Sequence, residues 1–267
     1  MTLNYAFMSF SCPQASLAEM LVMARQYGYA GIEPRVDAGH AHGIEPGASA
    51  VELERAKQLS VDAGIAICCI ATSCRFADPA SASENVELAH RCIDLAAAVG
   101  SHRLRVFGGQ LPDGFARSLA IDLVASSFKQ IADHATERDV IVCMETHDDW
   151  CNPQHVASVM QQANHPNIAV NWDIMHPVRQ GNSSMDAAFV ILQPWIKHVH
   201  FHDGLLRLDD TVLKPIGMGE IDHQRAVQLL QSMHYTDYLS GEWIGWEPPD
   251  VHLPREIGAM HSYEQAN

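Results

Sequence analysis

The stretch Trp195–Gly204 reads W-I-K-H-V-H-F-H-D-G. Within it, histidines alternate with apolar residues from His198 to His202. Successive side chains of a β-strand point to opposite faces, so His198, His200 and His202 share one face. An ordinary core strand would carry aliphatic residues at these positions. Imidazole is a common metal ligand and is costly to bury without a polar partner. Any one of these histidines alone could be satisfied by backbone groups, but the row predicts a polar site at the end of this strand.

Apolar, strand-like segments alternate with helical segments on both sides of this stretch. We expect strands at 5–10, 30–34, 65–71, 104–107, 140–145, 168–173, 196–202 and 238–242. Helical spacing, caps and closing glycines predict helices at 16–27, 48–63, 83–99, 115–138, 153–162, 184–192, 223–233 and 254–263. Eight successive strand–helix units without a linker predict an α/β fold, a (β/α)8 TIM barrel, as a single domain over residues 1–267. A doubly wound open sheet is the alternative, but the turn after the first strand, F-S-C-P at 10–13, lacks the glycines of a phosphate loop.

The composition limits the classes of function. The 267 residues are 47% hydrophobic and 18% charged, which is typical of a globular protein with a large core. The formal net charge of -15 opposes binding to nucleic acid and to anionic membranes. Seven cysteines without a C-x-x-C pair indicate free thiols. No apolar run is long enough to span a membrane and no leader precedes the first strand, so we expect a cytoplasmic protein, with a homo-oligomer among the alternatives for its assembly.

The carboxyl ends of barrel strands carry the functional side chains in folds of this type. The last four predicted strands place Glu145, Asp173, His200 and Glu242 there. Three crowded carboxylates repel one another unless a cation lies between them, so this set predicts a divalent metal site. Its oxygen-rich donors suit Mn²⁺, Mg²⁺ or Co²⁺, with Zn²⁺ as an alternative. Each acid taken alone could instead cap the helix that follows it.

Arg105 lies inside the fourth predicted strand and has two interpretations. Its guanidinium could face inward and pair with a carboxylate of the site. The interpretation that we prefer from the sequence is an ion pair on the exterior of the barrel.

The motifs around the strand ends resemble those of a known family. M-E-T at 144–146, N-W-D-I-M-H at 171–176, H-V-H-F-H-D-G at 198–204, G-M-G-E-I-D at 217–222 and G-E-W at 241–243 are similar to motifs of the xylose isomerase-like TIM barrels. This group of sugar phosphate isomerases and epimerases includes hydroxypyruvate isomerase, inosose dehydratase and D-tagatose 3-epimerase. The stretch Y-G-Y-A-G-I-E at 27–33 also resembles its second-strand signature. The resemblance covers nearly the whole chain and is specific for the superfamily rather than for one activity.

The resemblance implies a role for each residue that matches a family motif. The four strand-end residues would bind one divalent metal ion, and two of them, Glu145 and Glu242, would also act as acid and base on either side of the substrate. His176, three residues after the metal-binding aspartate, would bind substrate. Glu220, in a loop near the mouth of the barrel, and Arg207, one position further along than the family pattern, would also bind substrate.

The same resemblance implies the chemistry. A metal that binds a carbonyl and its neighbouring hydroxyl acidifies the C–H between them, so a glutamate can remove that proton through a metal-stabilised enediolate. Returning the proton to the neighbouring carbon gives isomerisation, and returning it to the other face gives epimerisation. We therefore expect an isomerase or epimerase of a small sugar or keto-acid. Loss of a β-hydroxyl on the same site, as in a dehydratase of a keto-inositol type substrate, is an alternative.

Two other classes of protein could be built on the same barrel. An endonuclease IV-like phosphodiesterase would use three metal ions and additional histidines after strands three, four and seven. Those places read A-T-S-C at 71–74, V-F-G-G at 106–109 and L-D-D-T at 208–211, so the histidines are missing. A binding protein without catalysis could keep the same scaffold, but the intact set of four metal ligands argues against it.

Overall fold

A parallel sheet curls into a nearly closed barrel in the computed structural model, which describes residues 2–205 and 212–265. The order of its nine strands is β3-β2-β1-β11-β8-β7-β6-β5-β4, and a separate pair is formed by β9 and β10. The strands are β1 (Asn4–Met8), β2 (Gly31–Glu33), β3 (Ala66–Ile67), β4 (Ile70–Arg75), β5 (Arg103–Phe107), β6 (Ile141–Glu145), β7 (Ile168–Asp173), β8 (Ile196–Phe201), β9 (Asp203–Leu205), β10 (Val212–Lys214) and β11 (Tyr238–Gly241).

The third position of the barrel is occupied by a strand in two pieces. β3 pairs with β2, and after Cys68 and Cys69 the chain continues as β4, which pairs with β5. A single parallel bridge between Arg35 and Ala71 connects the two sides, and the Val36 amide donates to the Ala71 carbonyl at 3.0 Å. The barrel therefore has eight strand positions, and the predicted (β/α)8 TIM barrel is confirmed.

Helices follow the strands of the barrel, as a strand–helix repeat requires. They are α1 (Leu17–Tyr27), α2 (Ala50–Ala63), α3 (Ala82–Ala98), α4 (Arg117–Glu137), α5 (Pro153–Ala163), α6 (His176–Arg179), α7 (Met185–Leu192), α8 (His223–Ser232) and α9 (Pro249–Gln265). A capping box begins α1: the Glu19 carboxylate accepts from the Ser16 amide at 2.8 Å, and the Ser16 hydroxyl accepts from the Glu19 amide. None of the helices in the described ranges is long and apolar enough to cross a membrane.

The loop after β8 contains structure that the sequence did not predict. Residues 204–221 have no strand-like alternation, but β9 and β10 form an antiparallel hairpin there. The buried carboxylate of Asp203 fixes this loop by accepting four backbone amides. The donors are the amides of Gly204 (2.8 Å), Gly217 (2.9 Å), Gly219 (3.0 Å) and Ile221 (3.2 Å). A buried carboxylate with this many donors is fully satisfied, so it anchors the loop beside the carboxyl end of β8.

Candidate metal centre

Four side chains from different strands meet at the carboxyl end of the barrel. Glu145 ends β6, Asp173 ends β7, His200 lies near the end of β8, and Glu242 directly follows β11. The register of the sheet brings them level, since Asp173 lies opposite His200 in the β7–β8 pair. All four are buried, and each offers one ligand atom, all within 4.8 Å of one another. The parallel barrel thus gathers residues that are far apart in the sequence.

His200 is held between carboxylates on both of its ring nitrogens. Its Nδ1 lies 2.9 Å from Glu145 Oε1 and 3.6 Å from Glu242 Oε2. Its Nε2 lies 3.1 Å and 3.2 Å from the two carboxylate oxygens of Glu33. The Nδ1 atom therefore faces the candidate ligands, while Glu33 fixes the ring from behind. Metal-binding histidines commonly have such a carboxylate on the second nitrogen.

Glu33 is fully buried and contacts two of the three histidines in the predicted row. Its Oε2 lies 2.7 Å from His198 Nε2, in addition to the contacts with His200. The sequence showed that the second strand ends in this glutamate, but it gave no role for it. The position at a strand end, opposite a row of inward-facing histidines, was the signal that could have identified this contact.

Arg105 faces the interior of the barrel, so the preferred expectation of an exterior ion pair was wrong. Its side chain is 1% exposed, and Nε lies 3.2 Å from Glu145 Oε2. Nη1 donates to the Thr72 carbonyl at 2.8 Å. The alternation of the strand explains the direction: Leu104 and Val106 take the apolar face, so Arg105 points to the opposite face.

The contacts of the buried glutamates with His200 and Arg105 determine the direction of the pKa shifts at the centre. Burial alone would raise the pKa of Glu145, but His200 and Arg105 lower it to about 2. Burial also opposes ionisation of Glu33, yet His200 and His198 hold its pKa well below the usual range. The pKa of His200 lies well above its ordinary value, because Glu33 and Glu145 outweigh the effect of burial. In the protein without a metal ion, a proton on His200 thus adds to the positive charge that Arg105 brings to the carboxylates.

Asp173 uses its two oxygens differently. Oδ1 accepts from the Met175 amide at 2.8 Å and the His176 amide at 3.1 Å, so the capping role weighed in the sequence is present. Among the described residues, Oδ2 has no hydrogen-bond partner, and it lies 3.3 Å from His202 Nε2. One oxygen therefore accepts from the turn that leads into α6, while the other is available to a cation.

The donor set fits a divalent cation. Three buried carboxylates and one imidazole nitrogen within 4.8 Å of one another provide more negative charge than His200 and Arg105 neutralise. The unpartnered Oδ2 of Asp173 is one of the oxygens that such an ion would satisfy. The predominance of carboxylate oxygen suits Mn²⁺, Mg²⁺ or Co²⁺.

Of the three residues predicted to bind substrate, one is buried, one is exposed and one lies outside the described residues. His176 is the first residue of α6, is buried, and packs its ring against His147 with centroids 4.5 Å apart. Glu220 is exposed, and its amide donates to the Gly204 carbonyl at 3.0 Å. Arg207 lies outside the described residues.

A polar cavity lies on the same face of the barrel as the centre, and its lining includes neighbours of the candidate ligands rather than the ligands themselves. Its volume is about 930 Å³, and its lining includes Gln110, His147, Asp148, His176 and Arg179. Because His147 follows β6 and His176 begins α6, the cavity lies on the same face of the barrel as Glu145 and Asp173. This volume is in the range that accommodates a small organic ligand.

Comparison with known proteins identifies the family. The model of the xylose isomerase-like TIM barrel matches residues 21–262, and the chain belongs to this family. The resemblance seen in the strand-end motifs is thereby confirmed. No curated protein sequence matches the chain.

Solved structures with the same fold include enzymes of several kinds. The probable 3-DHS dehydratase AsbF from Bacillus anthracis is 19% identical, with a TM-score of 0.78 and coverage of 97% of this chain and 98% of that one. An L-ribulose 3-epimerase is 17% identical, with a TM-score of 0.80 and coverage of 99% and 97%. The IOLI protein with a bound zinc atom is 14% identical, with a TM-score of 0.80 and coverage of 98% and 97%. At these identities the likeness shows the fold.

Proposed function

We propose that this protein is a divalent-metal-dependent isomerase or epimerase of a small sugar or keto-acid. The observation that carries the proposal is the buried set of Glu145, Asp173, His200 and Glu242, whose ligand atoms lie within 4.8 Å of one another. A polar cavity lies on the same face of the barrel. Membership of the xylose isomerase-like family and the fold shared with an L-ribulose 3-epimerase support it. A bound cation would act as a Lewis acid on the substrate carbonyl.

Glu145 and Glu242 are our candidates for proton transfer. Burial would raise the pKa of Glu242, but His200 lowers it, as it lowers that of Glu145, so both are carboxylates at neutral pH. Arg105 and His200 restrain the two oxygens of Glu145, whereas Glu242 is the most exposed residue of the set. A carboxylate fixed beside the carbon next to a carbonyl can take its proton and return it to a different face or neighbour.

The lining of the cavity supports a polar, oxygen-rich substrate. Burial would lower the pKa of His147, but Asp148 and Glu145 raise it to about 9, so its ring is cationic at neutral pH. His147 Nδ1 lies 2.9 Å from Asp148 Oδ1, which orients the ring at the cavity wall. A cationic donor next to buried His176 is suited to hydroxyl or carboxylate groups of a substrate.

A deuterium-exchange experiment tests the proposal. The full-length protein with Mn²⁺ would be incubated in D₂O with a panel of ketoses and hydroxypyruvate, and NMR would follow label at the carbon next to the carbonyl. We expect exchange in at least one substrate. Glu145→Gln should retain part of the bound Mn²⁺ while exchange falls at least ~100-fold, the usual loss when a general base is removed.

Glu137→Gln provides the matched control, because this glutamate is exposed at the end of α4 and should exchange label at the wild-type rate. No exchange into any member of the panel, or normal exchange by Glu145→Gln, would contradict the proposal.

Dehydration is the second candidate, because the probable 3-DHS dehydratase has the same fold over nearly the whole chain. The same NMR experiment detects it as loss of a β-hydroxyl from a keto substrate. An endonuclease-like activity is disfavoured by the net charge of -15 and by the absence of histidine from 71–74 and 106–109. We therefore expect no cleavage of DNA that contains an abasic site.

A further inference from the structure

We propose that the polar cavity binds an oxyanion, the carboxylate or phosphate group of a ligand, through Arg117 and His155. Both residues line the cavity. Arg117 is the first residue of α4, and His155 lies in the first turn of α5. Because these helices follow the neighbouring strands β5 and β6, they begin on the same face of the barrel as the candidate metal centre. Assigning the anionic group to the substrate rests on the proposed function, whereas the binding site itself does not.

Arg117 is a half-buried cation whose donors are not used by the described part of the chain. Over residues 2–205 and 212–265, its guanidinium has no hydrogen-bond acceptor and no carboxylate within ion-pair distance, and its Nη1 is buried. Three similarly half-buried arginines each donate to a side-chain oxygen at 2.6 Å: Arg35 to Ser73, Arg103 to Asp237 and Arg255 to Glu256. A partly buried charge normally has such a partner, so the donors of Arg117 are available to a ligand.

Trp150 holds the guanidinium in position. Arg117 Cζ lies 5.0 Å from the centroid of the Trp150 ring, which is a cation–π contact. The indole is fully buried, and its Nε1 donates to the Gly109 carbonyl at 2.8 Å. A Cβ on Gly108 would lie 2.3 Å from this Nε1, so the ring is closely packed against the loop after β5. The stacking uses the face of the guanidinium and leaves the N–H donors at its edge for a ligand.

His155 supplies a second donor beside Arg117. Its Nδ1 is buried and has no hydrogen-bond partner among the described residues. Burial, and then the charge of the neighbouring Arg117, lower the pKa of His155, so the ring is neutral at neutral pH and has one N–H to donate. One permanent cation and one neutral donor suit a carboxylate or phosphate group, which a guanidinium can bind through two parallel hydrogen bonds.

The acidic residues in the lining of the cavity do not pair with Arg117. Asp148 Oδ1 lies 2.9 Å from His147 Nδ1, and Asp149 Oδ2 accepts a backbone amide at 2.7 Å. Asp113 is exposed. Because none of the three lies within ion-pair distance of Arg117, an acidic ligand would be its counter-ion.

The cavity also connects this site with neighbours of the candidate metal ligands. His147 and His176 line it, and they follow Glu145 by two residues and Asp173 by three. Its volume of about 930 Å³ accommodates a small molecule that carries an anionic group. The substrate class that follows is a sugar phosphate or a keto-acid rather than a neutral ketose.

Titration with inorganic phosphate and with acetate tests the binding site. Each probe would be added at neutral pH to the full-length protein with a chelator present, so that no metal ion competes for it, and NMR would follow the histidine rings. We expect a saturable shift of the signal that is absent from His155→Gln. Arg117→Gln should weaken binding about 10-fold or more. Arg117→Lys, which keeps the charge but not the planar fork, should weaken it less.

Arg25→Gln, at an exposed position of α1, is the matched control and should bind both probes as the wild type does. Tighter binding of phosphate than of acetate would assign a phosphate group, and the reverse order would assign a carboxylate. No saturable shift with either probe in the wild type, or equal affinities of Arg117→Gln and Arg25→Gln, would overturn the site. The wild-type titration needs no variant, so a folding defect in Arg117→Gln would not obscure the result.

The exchange experiment in D₂O, with a ketose phosphate added to the panel, separates this inference from the proposed function. Below saturation, Arg117→Gln should slow exchange into hydroxypyruvate or the ketose phosphate more than into neutral ketoses, because it raises the KM for acidic substrates. Equal losses for acidic and neutral substrates would overturn the assignment of the oxyanion to the substrate. Phosphate binding through Arg117 without exchange into any substrate would support the binding site and count against the proposed reaction alone.

Discussion

Glu33 determines, at the scale of single residues, which nitrogen of His200 faces the carboxylate cluster. Both of its oxygens lie within 3.2 Å of His200 Nε2, and Oε2 also contacts His198. With Nε2 occupied, only Nδ1 remains for a ligand, and the ring cannot turn without breaking these contacts. Glu33 is therefore a positioning residue for the candidate metal centre.

Replacing Glu33 by Gln tests this role. The amide is nearly the same size but is uncharged, so the His200 ring should be less basic and less firmly oriented. We expect affinity for Mn²⁺ to fall about 10- to 100-fold, as is usual for loss of an outer-shell partner. Calorimetric titration measures the change, and Glu52→Gln in the exposed capping box of α2 serves as control. Equal affinity in both variants would exclude a positioning role for Glu33.

The sequence predicted the candidate ligands better than their neighbours. Glu145, Asp173 and Glu242 could be found because each ends a recognisable strand, and parallel strand ends converge in a barrel. The partners of Arg105 and Glu33 could not, because they depend on which strands face each other across the interior. His198 and Glu33, for example, are 165 positions apart.

The loop after β8 shows, at the scale of elements, how one side chain can organise a segment. Four amides converge on the Asp203 carboxylate, and that of Gly219 is one of them, at 3.0 Å. A Cβ on Gly219 would lie 2.1 Å from Asp203 Oδ1 and 2.7 Å from the Gly204 amide nitrogen. These distances are too short for any side chain, so the loop needs glycine at this position.

Gly219→Ala should therefore destabilise the protein. The added methyl group must displace the Asp203 carboxylate or the backbone beside it, and we expect the free energy of unfolding to fall by about 1–3 kcal/mol. Urea denaturation measures this change. Gly258→Ala is the matched control, because an added Cβ there contacts nothing within 4 Å inside α9 and should be neutral or slightly stabilising. Equal stabilities of the two variants would contradict the close packing at Gly219.

Most element boundaries could be predicted, and the failures have physical causes. Helices with clear caps, such as the one that begins after Ser16, matched within a residue or two. The hairpin of β9 and β10 was missed because its strands have three residues each, too few to show alternation. The division of the third strand was missed because Ile65–Ala71 is apolar throughout, and only pairing with two different neighbours separates its halves.

The stability of the whole molecule should depend on pH, because the carboxylates of the centre and His200 hold several strands of the barrel together. The pKa of Glu145 is about 2 in the folded protein, where His200 and Arg105 outweigh burial, and roughly 4.3 in an unfolded chain. The unfolded chain therefore binds more protons in this interval, and stability is lost as the pH falls through it. His200 has a raised pKa, so its contribution is complete below roughly pH 6.5 and is lost only at higher pH.

We expect the metal-free protein to lose stability steeply between about pH 4.3 and pH 2, and Glu145→Gln to lose it less steeply. Urea unfolding in the presence of a chelator, from about pH 2 to pH 7, measures both slopes. Glu137→Gln should keep the wild-type slope. Parallel curves for Glu145→Gln and the wild type would show that this carboxylate is not held ionised by its neighbours.

Because the third strand of the barrel is divided into β3 and β4, the regular pairing of the sheet is interrupted between β2 and β4. Four neighbouring strands, β6, β7, β8 and β11, carry or directly precede the proposed ligands, and each is paired with the next by several residues. On the other side of the barrel, an isolated bridge between Arg35 and Ala71 connects the β2 side of the sheet to β4. A bound cation would thus connect strands that already pair with one another, whereas the connection between β2 and β4 would still depend on the Arg35–Ala71 bridge.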